Sequence, residues 1–169
     1  MQSQALFIDA ANVDLVWFPP SSKAADLHGY LPNEYYTLYH SYGTRPELEA
    51  TIQTLDNYGI GAIADIVINH RAGTFDWADF ILPTWGCWAV CSDDEWSSVG
   101  GNPCGSADTG TQYAAARDVD HTNVTVQNDI KDWLNWMKDS IGFAGWRYDF
   151  VHGYSGSFNK MYNLSLIHI

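Results

Sequence analysis

Residues 59–71 read GIGAIADIVINHR, a nearly continuous apolar run that ends abruptly in Asn69, His70 and Arg71. A run that is apolar on both faces is typical of a strand in a parallel sheet, where helices cover both sides. Its polar residues gather at the carboxyl end, which is where α/β barrels carry their functional groups. The run therefore predicts an α/β fold with a site at this end of the strand.

The preceding segment predicts a strand and then a helix. Residues 13–18 (VDLVWF) have the pattern of a strand that two prolines end. Thr44 and Glu47 have the spacing of a capping box, which begins a helix. The apolar face of that helix contains Leu48, Ile52 and Leu55. Together with the strand at 62–69, these elements form a strand–helix–strand unit.

A second informative stretch, GFAGWRYDFVHGYS, occupies residues 142–155. In a strand, side chains alternate between the two faces, so Arg147 and Asp149 share one face. The apolar residues Trp146, Tyr148 and Phe150 then occupy the other face. A guanidinium beside a carboxylate keeps it ionised, and a fixed, ionised Asp is what a nucleophilic carboxylate requires. A purely structural ion pair is the alternative.

A helix is predicted before this strand. Residues 123–140 have the apolar stripe of a helix, and Gly142 ends it.

The middle of the chain, residues 71–121, is rich in Gly, Asp, Ser and Trp and keeps neither helical nor strand periodicity for long. Loops of that length are uncommon inside compact domains, so the segment predicts an inserted subdomain. It contains Cys87, Cys91 and Cys104, which allow one disulfide of undetermined pairing or three free thiols. There is no fourth Cys or nearby His at ligand spacing, which argues against zinc.

Length and charge restrict the possible functions. The chain has 169 residues and a formal net charge of -12. It is long enough for one domain with a core, but too short for an eight-stranded α/β barrel, which typically needs about 250 residues. The acidity argues against nucleic acid or an anionic membrane surface as a partner. It fits a neutral substrate and a hard cation bound by carboxylates.

Taken together, these motifs resemble the alpha-amylase family of glycoside hydrolases, and within it the plant-type enzymes. The further matching motifs, all in the family's order, are VDLVWFPP (13–20), GYLP (29–32), DTG (108–110) and DVDH (118–121). The resemblance implies a fragment of a (β/α)8 TIM barrel that covers about strands two to four. The implied divisions are partial barrel at 1–70 and 123–163, an inserted domain B at 71–122, and a tail at 164–169 that departs from the family pattern.

The resemblance also implies roles for individual residues. Asp149 corresponds to the catalytic nucleophile, and Arg147 would orient it and keep it charged. His70 corresponds to a histidine that hydrogen-bonds the sugar, and Tyr30 to a tyrosine that stacks on a sugar ring. His152 stands where relatives often carry Lys or another basic residue towards the reducing side of the substrate.

A structural Ca²⁺ is the cofactor that the resemblance implies. Asn69, Asp108 and Asp118 match the family's side-chain ligands, while Thr111 and Gly153 would add backbone carbonyls. Ca²⁺ takes six to eight oxygen ligands of this kind. Such an ion would tie the inserted segment to the third and fourth barrel strands. The alternative is that these are solvated loop residues, as most Asp in polar loops are.

The expected activity is retaining hydrolysis of internal α-1,4 links in starch, glycogen or malto-oligosaccharides. A related transglycosidase or oligosaccharide α-glucosidase is one alternative, and a non-catalytic glucan-binding pseudoenzyme is another. The general acid/base Glu of the family lies on the fifth barrel strand, so we expect residues 1–169 alone to be inactive. The complete protein is expected to be a monomer. A secreted location is favoured, with plastid or cytoplasm as alternatives.

Overall fold

A computed structural model describes residues 2–73, 79–95 and 102–165 of the chain. Its α-helices there are α1 (Ala5–Ala10), α2 (Arg45–Asp56), α3 (Val124–Trp136) and α4 (Gly156–Ser165). The strands in the same ranges are β1 (Leu15–Phe18), β2 (Lys23–Ala24), β3 (Pro32–Glu34), β4 (Tyr39–His40), β5 (Gly43–Thr44), β6 (Gly61–Ile66), β7 (His70–Arg71), β8 (Arg117–Asp118) and β9 (Gly145–Tyr148).

The central sheet contains β1, β6 and β9 in that order, all parallel. Leu15 lies opposite Gly61 and Asp65 lies opposite Arg147. Because α2 connects β1 to β6 and α3 precedes β9, strands and helices alternate along the chain, which confirms the predicted α/β unit. Parallel strands place their carboxyl ends at one edge of the sheet, so the residues after β6 and β9 meet there.

α2 begins at the predicted capping box, and the helical segment predicted from residue 123 ends at Gly142. The Glu47 carboxylate accepts hydrogen bonds from the Thr44 backbone N–H (2.8 Å) and hydroxyl (2.7 Å), which caps α2. The Asn123 side chain accepts from the N–H groups of Thr125 and Val126 and caps α3. A π-helical turn at Met137–Ile141 follows α3, and Gly142, with φ +97°, ends it.

The core lies between the sheet and the buried faces of α2 and α3. Ile52 and Leu55 of α2 are buried, as the apolar spacing predicts, while Leu48 packs partly buried at the margin. The buried residues of α3 are Val126, Ile130, Trp133 and Leu134. The run at 62–69 is almost entirely buried, which explains why its sequence is apolar on both faces.

The segment between β6 and α3 is held together by several local contacts. Cys87 and Cys104 form a disulfide, and Cys91 is buried and free, which resolves the open cysteine pairing. β7 pairs antiparallel with β8, and His70 lies opposite Asp118. The division of the chain into barrel segments and an inserted domain B stays a prediction.

Two local expectations differ from the structure or lie outside it. Phe150 does not continue the strand face of Trp146 and Tyr148, because β9 ends at Tyr148 and Phe150 turns the chain with φ +45°. The suspect tail begins within α4, whose last turn includes Leu164; residues 166–169 lie outside the described ranges. Among the helices of the described ranges, none is long and apolar enough to cross a membrane.

Candidate active site

Asp149 lies directly after β9, at the carboxyl end of the sheet. Its backbone N–H donates to Ile66 O (2.8 Å), which fixes it beside the end of β6. Arg147 Nη1 donates to Asp149 Oδ1 at 2.5 Å and also to Asp65 Oδ1 at 2.9 Å. The Asp65 side chain is fully buried, whereas Asp149 retains 19% of its side-chain exposure. The arrangement therefore leaves Asp149 as the accessible carboxylate and Asp65 as the buried anchor of the guanidinium.

Tyr30 contacts this group from the loop between β2 and β3. Its hydroxyl donates to Asp65 Oδ2 at 3.0 Å, so the ring is tied to the buried end of the ion pair. Burial and the neighbouring Asp65 carboxylate raise the pKa of Tyr30 to about 12, so the hydroxyl remains a donor. Burial also raises the pKa of Asp65 from its ordinary value, against the opposing effect of Arg147. The half-buried Tyr30 ring is thus fixed near Asp149 with a defined orientation.

His70 follows β6 and is completely buried, with 0% exposure. Its Nε2 lies 2.7 Å from Tyr30 O and therefore carries the proton, while Nδ1 lies 3.3 Å from Asn69 Nδ2. The ring of Tyr113 stacks on the imidazole with centroids 3.8 Å apart. Burial lowers the pKa of His70 to about 4, so the imidazole is neutral. The structure brings His70 to the site edge of the sheet, beneath an aromatic ring.

His152 is exposed at the turn after Asp149. Its ring lies 4.2 Å from the Phe150 ring, and its carbonyl accepts from Thr111 N–H at 3.1 Å. The positive φ of Phe150 directs the chain out of the sheet at this point, so His152 stands on the solvent side. Non-glycine residues in this backbone region are uncommon and are enriched at functional sites.

The five residues predicted as calcium ligands converge beside this turn. Asn69 Nδ2 donates to Asp118 Oδ1 at 3.1 Å, and a β-carbon at Gly153 would overlap Asn69 Oδ1. Thr111 N–H bonds to the carbonyl of residue 152, directly before Gly153. Asp108 lies close enough to Asp118 to raise its pKa. Segments that are far apart in sequence thus place these groups together.

Two oxygens in this cluster test whether a cation fits. Asn69 Oδ1 and Asp108 Oδ2 are buried and have no hydrogen-bond partner within the described residues. Buried polar atoms normally have a bonding partner, so these two oxygens fit the ligands of a bound cation. Burial, reinforced by Asp108 and other carboxylates, raises the pKa of Asp118 to about 8. Oxygen atoms without a hydrogen-bond partner, next to carboxylates that repel one another, fit a Ca²⁺ ion.

A further acidic group lies next to this cluster. Ligand oxygens of Asp94, Glu95 and Asp118 lie within 4.8 Å of one another. Asp94, however, accepts from Arg117 Nη1 (2.8 Å) through Oδ1 and from the Asp118 N–H (2.8 Å) through Oδ2. Asp94 is thus paired with the buried guanidinium of Arg117. The oxygens without a hydrogen-bond partner are instead those of Asn69 and Asp108.

Sequence reasoning missed Tyr113 and the Arg117–Asp94 pair. Tyr113 lies in a polar loop, where no periodicity marks a functional face. The only available signal was its position between the DTG and DVDH motifs. The pairing of Arg117 with Asp94 joins two residues of the aperiodic segment, and neither has a distinctive spacing.

Comparisons with known proteins agree with this geometry. A family model described as the catalytic domain of alpha amylase matches residues 3–83. The chain is 33% identical over 168 residues to alpha-amylase 3, chloroplastic, of Arabidopsis thaliana, covering 96% of this chain and 18% of the relative. It is 37% identical over 153 residues to probable alpha-amylase 2 of the same plant, covering 86% and 35%.

A solved alpha-amylase from Geobacillus thermoleovorans, complexed with acarbose, superimposes with a TM-score of 0.75 at 19% identity, covering 98% of this chain and 36% of that one. The described sheet and helices therefore correspond to part of a (β/α)8 barrel. The chain belongs to the alpha-amylase family, on its plant-type side. It spans about a fifth to a third of the length of the two curated relatives.

Proposed function

We propose that the protein containing this chain is an alpha-amylase that hydrolyses internal α-1,4-glucosidic bonds in starch or glycogen with retention of configuration. The observation that carries this proposal is the Asp149 carboxylate, accessible at the carboxyl end of the sheet and held by Arg147 at 2.5 Å. Family membership and the position of this carboxylate after the fourth predicted barrel strand support the same reaction class.

In the proposed reaction, Asp149 attacks the anomeric carbon of the sugar and forms a glycosyl-enzyme ester. Arg147 donates to one oxygen of this carboxylate and orients it, because the buried Asp65 fixes the guanidinium from the other side. A second carboxyl, about 5–5.5 Å away, must protonate the leaving oxygen and then activate water. The family resemblance assigns that group to a Glu on the fifth barrel strand.

We propose that Tyr30, His70 and His152 contact the glucan. Tyr30 offers a half-buried ring that its hydrogen bond to Asp65 orients. The neutral His70 imidazole lies at the same end of the sheet, and exposed His152 lies on the side that follows Asp149. Malto-oligosaccharides are the proposed shorter ligands.

We propose Ca²⁺ as the resident cation, held by side-chain oxygens of Asn69, Asp108 and Asp118 and by the carbonyls of Thr111 and Gly153. When bound, the ion would supply charge compensation for Asp118 and the two orphaned oxygens. These residues themselves join the β6 end, the loop at 108–118 and the turn after Asp149. Their role is to position the cleft.

The compartment is also a proposal. The disulfide between Cys87 and Cys104 favours an oxidising location, in agreement with the secreted location expected from the sequence. A plastid is the alternative, since one relative is named as chloroplastic.

The test is the substitution Asp149→Asn in the full-length protein. A neutral amide cannot form the ester, so reducing-sugar release from soluble starch should fall by more than about 10³-fold, while glucan binding stays within about threefold. Asp139→Asn, at an exposed position after α3, is the matched control and should leave both unchanged. Activity within tenfold of wild type would contradict the assignment. Binding without turnover by the wild type would favour the pseudoenzyme, and longer rather than shorter products would favour the transglycosidase.

A further inference from the structure

A cavity of about 300 Å³ lies beside the carboxyl end of β1, on the side of the sheet that α2 covers. Its apolar walls include Phe18, the last residue of β1, and Leu48 of α2. Phe18 lies opposite Ala64 of β6, so it points away from the side on which Asp65 and the Arg147 guanidinium meet. The cavity is therefore separate from the candidate active site. Small-ligand sites have volumes of about 300–1,000 Å³, so the cavity suits one sugar ring.

Two aromatic side chains of the β4–β5 hairpin line this cavity. The Tyr42 ring stacks on the His40 imidazole, with centroids 5.3 Å apart and planes at 29°. His40 Nε2 lies 2.9 Å from Asp26 O and therefore carries the proton of this hydrogen bond, which ties the hairpin to the loop that contains Tyr30. Tyr42 is nevertheless 57% exposed. A ring that is held in place and left open offers its face to the C–H groups of a sugar.

The polar groups of the cavity favour a neutral ligand that carries hydroxyl groups. Ser21 lines the cavity, and the buried Ser21 Oγ has no hydrogen-bond partner within the described residues. Buried polar atoms normally have a partner, so this hydroxyl fits a ligand that hydrogen-bonds to it. Both capping hydrogen bonds from Thr44 go to Glu47 Oε2, which leaves Oε1 to accept from a ligand hydroxyl. The Glu47 carboxylate also repels anionic ligands.

We propose that this cavity is a second glucan-binding site, which takes one glucose unit of an α-glucan against the Tyr42 ring and the Ser21 and Glu47 oxygens. This inference rests on the proposed function, because it takes the ligand to be the polymeric substrate. Since His40 links the hairpin to the Tyr30 loop, a chain held here stays close to the cleft. Attachment at a second point raises the effective concentration of substrate at the first.

The variants separate the Tyr42 ring from its hydroxyl. Tyr42→Ala removes the stacking ring, so the dissociation constant for granular starch should rise by about threefold to tenfold. Tyr42→Phe keeps the ring and should stay within about twofold of the parent. Tyr58→Ala is the matched control, because it deletes an exposed tyrosine beyond the other end of α2, and it should change nothing. All full-length variants carry Asp149→Asn, which prevents hydrolysis of the starch during the measurement.

The experiment combines adsorption isotherms on granular starch with ¹⁹F NMR of 3-fluorotyrosine placed at position 42. Maltose is the soluble probe, and the expected ¹⁹F result is a resonance that shifts with added maltose until it saturates. Unchanged adsorption of Tyr42→Ala, or a resonance that maltose does not move, would overturn this inference alone. Should Tyr42→Ala fail to fold, the NMR titration still decides. Hydrolysis of soluble starch by the protein with Asp149 intact tests the proposed function separately, and its absence would contradict that function whatever the binding results.

Discussion

Burial raises the pKa of the Asp118 carboxyl to about 8, from an ordinary value of 3.8. Asp108, Glu95 and Asp94 add to the shift by repulsion, while the hydrogen bond from Tyr113 N–H opposes it. Between these two values the folded chain holds a proton that the unfolded chain has released. Without a cation, this group therefore makes the free energy of unfolding fall as pH rises from about 4 to about 8.

Calcium should remove that pH dependence, because a cation beside Asp118 favours its charged form. We predict that in chelator the wild type loses stability relative to Asp118→Asn between about pH 5 and about pH 8. Added Ca²⁺ should restore the wild type and leave Asp118→Asn unaffected. Denaturant unfolding of both proteins, with chelator and with Ca²⁺, is the measurement. Equal pH slopes for the two proteins, or an equal response to Ca²⁺, would contradict the cation site.

At this scale the sequence predicted what strand alternation determines. The approach of Arg147 to Asp149 follows from period two and is confirmed. The structure adds the pairing of Arg147 with Asp65, which lies opposite it on the neighbouring parallel strand. The stacking of Tyr113 on His70 could not be predicted in the same way. It depends on how an aperiodic loop folds back over the sheet, which only tertiary packing decides.

The elements depend on a few capping groups, of which Asn123 is the one that begins α3. Its side chain accepts hydrogen bonds from two N–H groups of the first turn, at 2.9 Å and 3.4 Å. We predict that Asn123→Ala lowers the free energy of unfolding by about 1 kcal/mol, whereas Asn123→Ser, which keeps an acceptor, costs much less. Urea unfolding compares the three proteins. Equal loss for Ala and Ser would show that the cap contributes nothing.

The types and order of β1, α2, β6, α3 and β9 were predictable because their sequences are periodic or continuously apolar: β6 is apolar on both faces and α3 has a continuous stripe. The end of β9 was not predictable. Phe150 looks like the next apolar position of a strand, yet it adopts φ +45° and turns the chain. A positive φ is normally predicted from a glycine, so a phenylalanine at this position does not predict the turn.

For the molecule as a whole, the three-stranded sheet has two unpaired edges in the described part of the chain, at β1 and β9. Trp17 and Leu15, at the β1 edge, are more than half exposed. Open apolar edges promote association. We predict that a polypeptide of residues 1–169 alone self-associates. We also predict that it releases no reducing sugar from starch, since the proposed general acid lies on the fifth barrel strand and these residues correspond to about strands two to four. Size-exclusion chromatography with a starch assay is the measurement, and a monodisperse, active polypeptide would contradict this view.

The central claim is that Asp149 is the nucleophile of a retaining glycosidase. The most direct measurement is peptide mass spectrometry after the full-length protein reacts with a 5-fluoro-α-glucosyl fluoride. In that reaction, a carboxylate oxygen displaces fluoride and forms an ester whose hydrolysis the second fluorine slows. We predict one added fluoroglucosyl group on the peptide that contains Asp149, and none after Asp149→Asn. An adduct on another carboxylate, or turnover of the reagent with unchanged labelling in Asp149→Asn, would contradict it.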